Sequence, residues 1–267
     1  MSENLASRGL RVLKEEGVLT FIKKSVRFSY RLVKQKWKNS QLRNHLPKSG
    51  AYQTYNGVIV EEKRIGDDFL NAFPDRPSYE GQFVEYIREY VEESDSVVVI
   101  GGYYGASTVA AATQAGDSGG VTTFEATPEG ADRVRKTARL NDVQQSVTVK
   151  AQSVGPIYNS KGRALGDGKI PPSELPNCDI LAIDCDGCEL DVLDNIEVRP
   201  RTIIVEHHGQ SSGDERDKER LDFEYQRENL EDILSSKGYE ILDEYSRSRT
   251  HAGFDDQIGW FVAERST

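Results

Sequence analysis

The stretch VVVIGGYYGAST, residues 97 to 108, runs four apolar residues into a glycine turn and then into an alanine-rich segment. A strand that ends in such a turn and opens a helix lets a ligand reach the backbone N–H groups at the helix start. Gly101, Gly102, Tyr103 and Gly105 form the turn, and Glu125 stands twenty residues beyond Gly105, at the end of the next apolar run, with Ala126 beside it. An acid there can accept hydrogen bonds from both hydroxyls of a ribose. The dinucleotide fingerprint G-x-G-x-x-G is incomplete, because Ile100 precedes Gly101 and only G-G-x-x-G remains. Nucleoside binding is therefore indicated, with NAD as the weaker reading.

Other polar clusters sit at equivalent places. Ser153 follows the third apolar run, the segment IDCDGCE from Ile183 to Glu189 the fourth, and Glu206, His207 and His208 the fifth. Ligands of open α/β sheets bind beyond the carboxyl ends of the strands, so these ends point to one crevice. Histidine suits proton removal near neutral pH, which makes His207 and His208 candidate bases, with Glu206 orienting one of them or the substrate. Neighbouring strand residues face opposite ways, so only one of the two histidines is expected to reach a ligand. Asp184 is expected to face the same crevice, whereas Glu189, one turn into a helix, could cap it or form an ion pair. Cys185 and Cys188 are read as small buried thiols, because no second ligand pair accompanies them; a redox pair, and a zinc site with one histidine, are the rivals. A magnesium cage of Asp184, Asp186 and Glu206 is a further rival, and no metal is expected.

The elements that hold these residues follow from hydrophobic patterning. Strands are expected at 97–100, 121–124, 146–151, 178–184, 202–206, 239–242 and 258–264, and helices at 78–93, 106–115, 128–140, 188–195 and 222–237, the first opened by Ser78. Apolar strands alternating with helices predict an α/β fold with a mostly parallel sheet covered on both faces. The last two strands lack an intervening helix and are expected to form an antiparallel hairpin. Asn56-Gly57 predicts another hairpin within residues 52 to 61. The segments 155–177 and 208–219, rich in turn residues, read as lids, binding loops or plain surface segments.

Charge divides the chain. Of 34 Lys+Arg and 44 Asp+Glu, residues 1 to 46 hold 11 and 3, which leaves 23 and 41 for the rest: a basic arm on an acidic body. An acid-rich body suits a halophile, where salt screens self-repulsion, and equally any acidic enzyme. Within the arm, a helix over 18–38 places Val18, Phe21, Ile22, Val26, Phe28, Leu32 and Val33 on one half and Lys23, Lys24, Arg27, Arg31, Lys34 and Lys38 on the other. Such a helix docks on an anionic membrane surface or packs on protein through its apolar half. Three cysteines exclude a disulfide framework, no run is long enough to span a bilayer, and the first residues lack a secretory h-region, so a cytoplasmic protein is expected. Residues 1–46 are thus expected to form a basic amphipathic helical arm and 47–267 one domain, made of a hairpin extension (47–77) and a core (78–267).

The motifs VVVIGGYYGAST, FEATPEGADRVRKTARLND, LAIDCDGCELDVLDNI and IIVEHHG resemble the FkbM-type class I S-adenosylmethionine-dependent methyltransferases, especially archaeal members, over about residues 78 to 264. The resemblance implies a Rossmann-like, seven-stranded, mostly parallel sheet with an antiparallel last strand. It also implies S-adenosylmethionine as cofactor and methyl transfer to oxygen, often on sugars or glycolipids. On this reading Gly101, Gly102, Tyr103, Gly105, Glu125, Ala126, Ser153, Asp184 and Glu80 hold the cofactor, and Asp184, Glu206, His207 and His208 serve the acceptor. One position departs from the pattern: the family carries an acid two residues before the first glycine, and Val99 stands there. Glu80, Asp184 or a backbone group would then hold the cofactor's amino-acid end. A sugar hydroxyl as acceptor needs a base; a uronic acid carboxylate does not. The rival functions are an NAD-dependent sugar-nucleotide oxidoreductase, disfavoured by Ile100 in the glycine turn and by the lack of a clear Tyr-x-x-x-Lys pair, and a cofactor-binding scaffold without catalysis. No nucleic-acid partner is expected.

Overall fold

Runs that are apolar at every position, such as VVVI, ILAI and TIIV, have no polar face to offer solvent and must lie inside a sheet covered on both sides. In the computed structural model, which describes residues 13–156, 168–185, 187–209, 222–251 and 254–266, they do. The chain divides into two compact units, Met1–Gln53 with Glu61–Asp75, and Thr54–Val60 with Arg76–Thr267.

In the first unit, Gly17 (φ 85°) separates a short helical stretch, 13–16, from helix α1, Val18–Lys38. A second helix absent from the sequence reading, α2 (Gln41–His45), follows at once, capped by the Ser40 hydroxyl, which accepts from the Leu42 N–H. Fully buried Asp67 ties these pieces together: it accepts from the Trp37 indole (2.8 Å), from the Arg43 guanidinium through both oxygens (2.9 Å each) and from the Arg64 N–H (2.7 Å). Burial pushes the Asp67 carboxyl up, but these donors outweigh it and hold it below the usual carboxylate range.

Strands β1 (Lys48–Tyr55) and β2 (Val58–Arg64) form the expected hairpin, and the left-handed pair Asn56 (φ 47°) and Gly57 (φ 80°) makes its turn. The second unit then alternates α3 (Gly81–Tyr90), β3 (Ser96–Ile100), α4 (Ala106–Ala115), β4 (Gly120–Phe124), α5 (Pro128–Leu140) and β5 (Val147–Lys150). After the short strands β6 (Gln152–Val154) and β7 (Gly168–Ile170) come β8 (Ile180–Ile183), α6 (Glu189–Asn195), β9 (Thr202–Gly209), α7 (Phe223–Ser236), β10 (Tyr239–His251) and β11 (Phe254–Arg265). Seven strands join in the order β10-β11-β9-β8-β3-β4-β5; β11 runs antiparallel to both neighbours, and the pairs from β9 to β5 are parallel. This is a Rossmann-like α/β architecture.

Two apolar cores lie on opposite faces of the sheet. Phe83, Val84 and Ile87 of α3 and Val109 of α4 pack on Val97, Val99, Ile204 and Val262; Val192 and Leu193 of α6 and Leu230 and Leu234 of α7 pack on Val98, Leu181, Val205 and Phe261. Two expectations need correction. Helix α3 opens at Gly81 and not at Ser78, because Glu80 takes the left-handed conformation at its N-cap without capping it by side chain. The segment 155–177 is not wholly irregular: β6 pairs with β7, and a 3₁₀ turn covers Pro172–Glu174. Residues 157–167 and 210–221 lie outside the described residues.

Candidate active site

Three strand ends meet at the glycine turn. The Gly101 N–H donates to the Phe124 carbonyl (2.9 Å) and the Asp184 N–H to the Ile100 carbonyl (2.8 Å), which locks the ends of β3, β4 and β8 together. Gly101 has φ +91°, and a Cβ there would lie 1.7 Å from the Asp184 carbonyl oxygen, so only glycine lets the two backbones meet. Gly105 (φ 82°) forms the N-cap of α4. Glu125, buried, accepts the Tyr103 N–H through Oε2 (3.0 Å) and the Thr127 N–H (3.0 Å) and hydroxyl (2.6 Å) through Oε1. The acid that sequence spacing placed near the turn is thus bonded to the turn itself. Gly130 makes room for it, since a Cβ there would stand 2.5 Å from the carboxyl carbon.

A second group of polar side chains gathers between the start of α3 and the end of β9. The Glu80 carboxyl is enclosed beside Tyr79 and Ser107, and burial, followed by the nearby Glu206 charge, pushes it up to about 8. Glu206 accepts from the Trp260 indole N–H at 2.5 Å, an arrangement set by the register that pairs Trp260 with Glu206 across β9 and β11. Burial, with Glu80 and Asp184 among the charges acting on it, raises the Tyr79 hydroxyl. The rings of Tyr79, Tyr104 and Tyr55 pack edge-on or tilted at centroid distances of 4.7 to 5.6 Å, and Tyr103 stands 4.5 Å from Tyr104.

The raised Glu80 acid makes stability depend on pH. In the unfolded chain the group releases its proton near ~4.3, whereas in the folded chain it keeps it to about 8. Its contribution is therefore fully present in acid and is lost as pH rises through about 8. Glu80→Gln, which cannot ionise, is expected to flatten the fall of Tm between roughly pH 4 and 8; scanning calorimetry of both proteins checks this, and parallel profiles would contradict it.

His207 does not join this group. Its ring is fully buried on the opposite face of β9 from Glu206, stacked on Phe223 (4.6 Å) and Phe261 (5.2 Å). Gly259 leaves it space, a Cβ there falling 2.1 Å from Nε2. The expectation of His207 as a base is corrected: it is a packing residue under α7. His208 pairs by its backbone with Ile258, and its side chain lies outside the described residues, as does Asp186. Ser153 is buried on β6, and Ala126 is half-buried next to Glu125.

Cys185 and Cys188 are joined in a disulfide, which corrects the reading of two free thiols and removes both as metal ligands. Buried Glu189 accepts the N–H groups of Cys185 and Gly187 (3.1 Å each), so it closes this loop. Val99 lies fully inside the sheet, where no ligand reaches it. Sequence reasoning missed Tyr79, Tyr104, Ser107 and Trp260. Of these only Tyr104, inside the glycine turn, carried a local signal.

No family model matches the chain, and no curated protein matches it. Among solved structures, it is similar to Trm5b from Pyrococcus abyssi, at 13% identity over 82% of this chain and 56% of that one, with a TM-score of 0.51. A further match is the O-methyltransferase from Bacillus cereus in complex with SAH, at 15% identity over 69% of this chain and 81% of that one, with a TM-score of 0.44. At these identities the likeness is one of fold.

Proposed function

We propose that the chain is an S-adenosylmethionine-dependent O-methyltransferase of FkbM type that acts on a sugar hydroxyl of a glycan or glycolipid precursor. The observation that carries the cofactor assignment is Glu125, held by the Tyr103 N–H at the mouth of the glycine turn. The residues present fit that group. Gly101 and Gly105 keep the turn open at the start of α4, and Glu125 Oε2, with one of its two lone pairs taken by the Tyr103 N–H, still has accepting capacity for a ribose hydroxyl. With Val99 buried, Glu80, Asp184 or backbone groups of the turn would hold the amino-acid end. When bound, the cofactor supplies a methyl group on a sulfonium centre, ready for in-line displacement.

The chain's own residues then orient the acceptor, exclude water and manage one proton. Glu80 keeps its proton at neutral pH, and its partner Glu206, fixed by Trp260, is assigned to accept the proton of the acceptor hydroxyl. Half-buried tyrosine rings beside carboxylates suit a sugar, which has apolar C–H faces and hydroxyl edges. The Glu206 and Asp184 carboxylates repel an acidic acceptor, which favours a hydroxyl over a uronic acid carboxylate. They also disfavour nucleic acid, whose binding relies on basic side chains.

Methyl transfer from labelled S-adenosylmethionine to neutral and acidic sugars tests the proposal. Glu206→Gln is expected to lower kcat about 100-fold with affinity for S-adenosylhomocysteine unchanged. Equal turnover by the variant would remove Glu206 as the base, and transfer only to uronic acids would overturn the hydroxyl assignment.

A further inference from the structure

Helix α1 shows solvent an apolar side that the first unit does not cover. None of its residues is buried, and Val18, Leu19, Ile22, Val26 and Val33 are each at least half exposed, Leu19 by 75%. Within the unit, named contacts tie down the later turns: the Tyr30 hydroxyl donates to the Leu70 carbonyl, the Trp37 indole to Asp67, and the Lys38 ammonium stands over Phe73. The opposite side carries Lys23, Lys24, Arg27, Arg31 and Lys34. No Asp or Glu occurs from Gly17 to Val60. No carboxylate within the helix can pair with these side chains at i, i+3 or i, i+4, and Lys24 pairs with Glu16 ahead of it. An uninterrupted basic segment matches a surface that is uniformly negative. Among the described residues no helix is long and apolar enough to cross a membrane, and an amphipathic helix of this kind lies in the plane of an interface.

We infer that α1 docks the chain on an anionic lipid bilayer, its apolar side in the acyl boundary and its Lys/Arg side at the headgroups. This inference does not rest on the methyl-transfer reading. Co-sedimentation of the full chain with vesicles of phosphatidylcholine alone, and of phosphatidylcholine mixed with phosphatidylglycerol, tests it. Partitioning onto the mixed vesicles is expected to exceed that onto neutral ones about tenfold or more. The double variant Ile22→Asp, Val26→Asp is expected to abolish that excess while its thermal unfolding stays at the wild-type temperature. Wild-type chain left in the supernatant with both vesicle types would overturn the inference. So would a double variant that binds as well as wild type. A concentration-dependent dimer in sedimentation velocity, dissolved by the same variant and accompanied by no vesicle binding, would assign the face to a second copy instead.

Discussion

Glu125→Ala is expected to weaken binding of S-adenosylhomocysteine by about 100-fold. A hydrogen bond from a ribose hydroxyl to the open lone pair of Oε2 is of the charged kind, on the order of 1.5 to 3 kcal/mol, and a buried carboxylate is pre-positioned to accept it. Here the group is held from two sides, by the Tyr103 N–H and by Thr127, so little ordering is left for the ligand to impose. Alanine removes both acceptors and leaves the Tyr103 N–H without this partner. Glu125→Gln keeps the shape and one acceptor oxygen, and its loss is expected to be about tenfold. Circular dichroism of both variants separates a lost contact from a lost fold. An alanine variant that binds as well as wild type would show that the ribose is not held there.

Gly101→Ala is expected to cost about 4 kcal/mol or more in unfolding free energy. The conformation alone, φ +91°, is one that L residues avoid, and the added Cβ would meet the Asp184 carbonyl oxygen at 1.7 Å. That neighbour is backbone, held in turn by the Asp184 N–H bond to Ile100, so relief requires β3 and β8 to part. Gly120→Ala is the control, because a Cβ there meets nothing within 4 Å and its φ is ordinary. Denaturant unfolding of the two variants is expected to separate them clearly. A cost below about 1 kcal/mol at position 101 would mean that the strand ends do not close in this way.

The fold was legible because patterning and turn chemistry agreed. The helices at 18–38, 106–115 and 128–140 begin and end where apolar spacing, Gly17, Gly105, Thr127-Pro128 and Gly116 place them. The glycine-turn side of the candidate site was legible for the same reason: a strand, a glycine turn and an acid at the next strand end are local signals. The acceptor side was not. Ile203, Ile204 and Val205 are all buried, so β9 has no polar alternation to reveal which face each later residue takes, and the choice between Glu206 and His207 stayed open until their surroundings were seen. Trp260 reaches Glu206 only through the β9 to β11 register, which no single segment encodes. The place of Glu80 at the N-cap was masked by Ser78, a better cap by type, and the Cys185–Cys188 bond cannot be told from two thiols by spacing alone.

The central claim is tested most directly by calorimetric titration of the wild-type chain with S-adenosylhomocysteine, with NAD titrated in parallel. The account predicts saturable one-site binding of S-adenosylhomocysteine in the micromolar range, about −8 kcal/mol, and no heat from NAD. No binding of S-adenosylhomocysteine at low or high salt, or saturable binding of NAD in its place, would contradict it and return the glycine turn and Glu125 to another ligand.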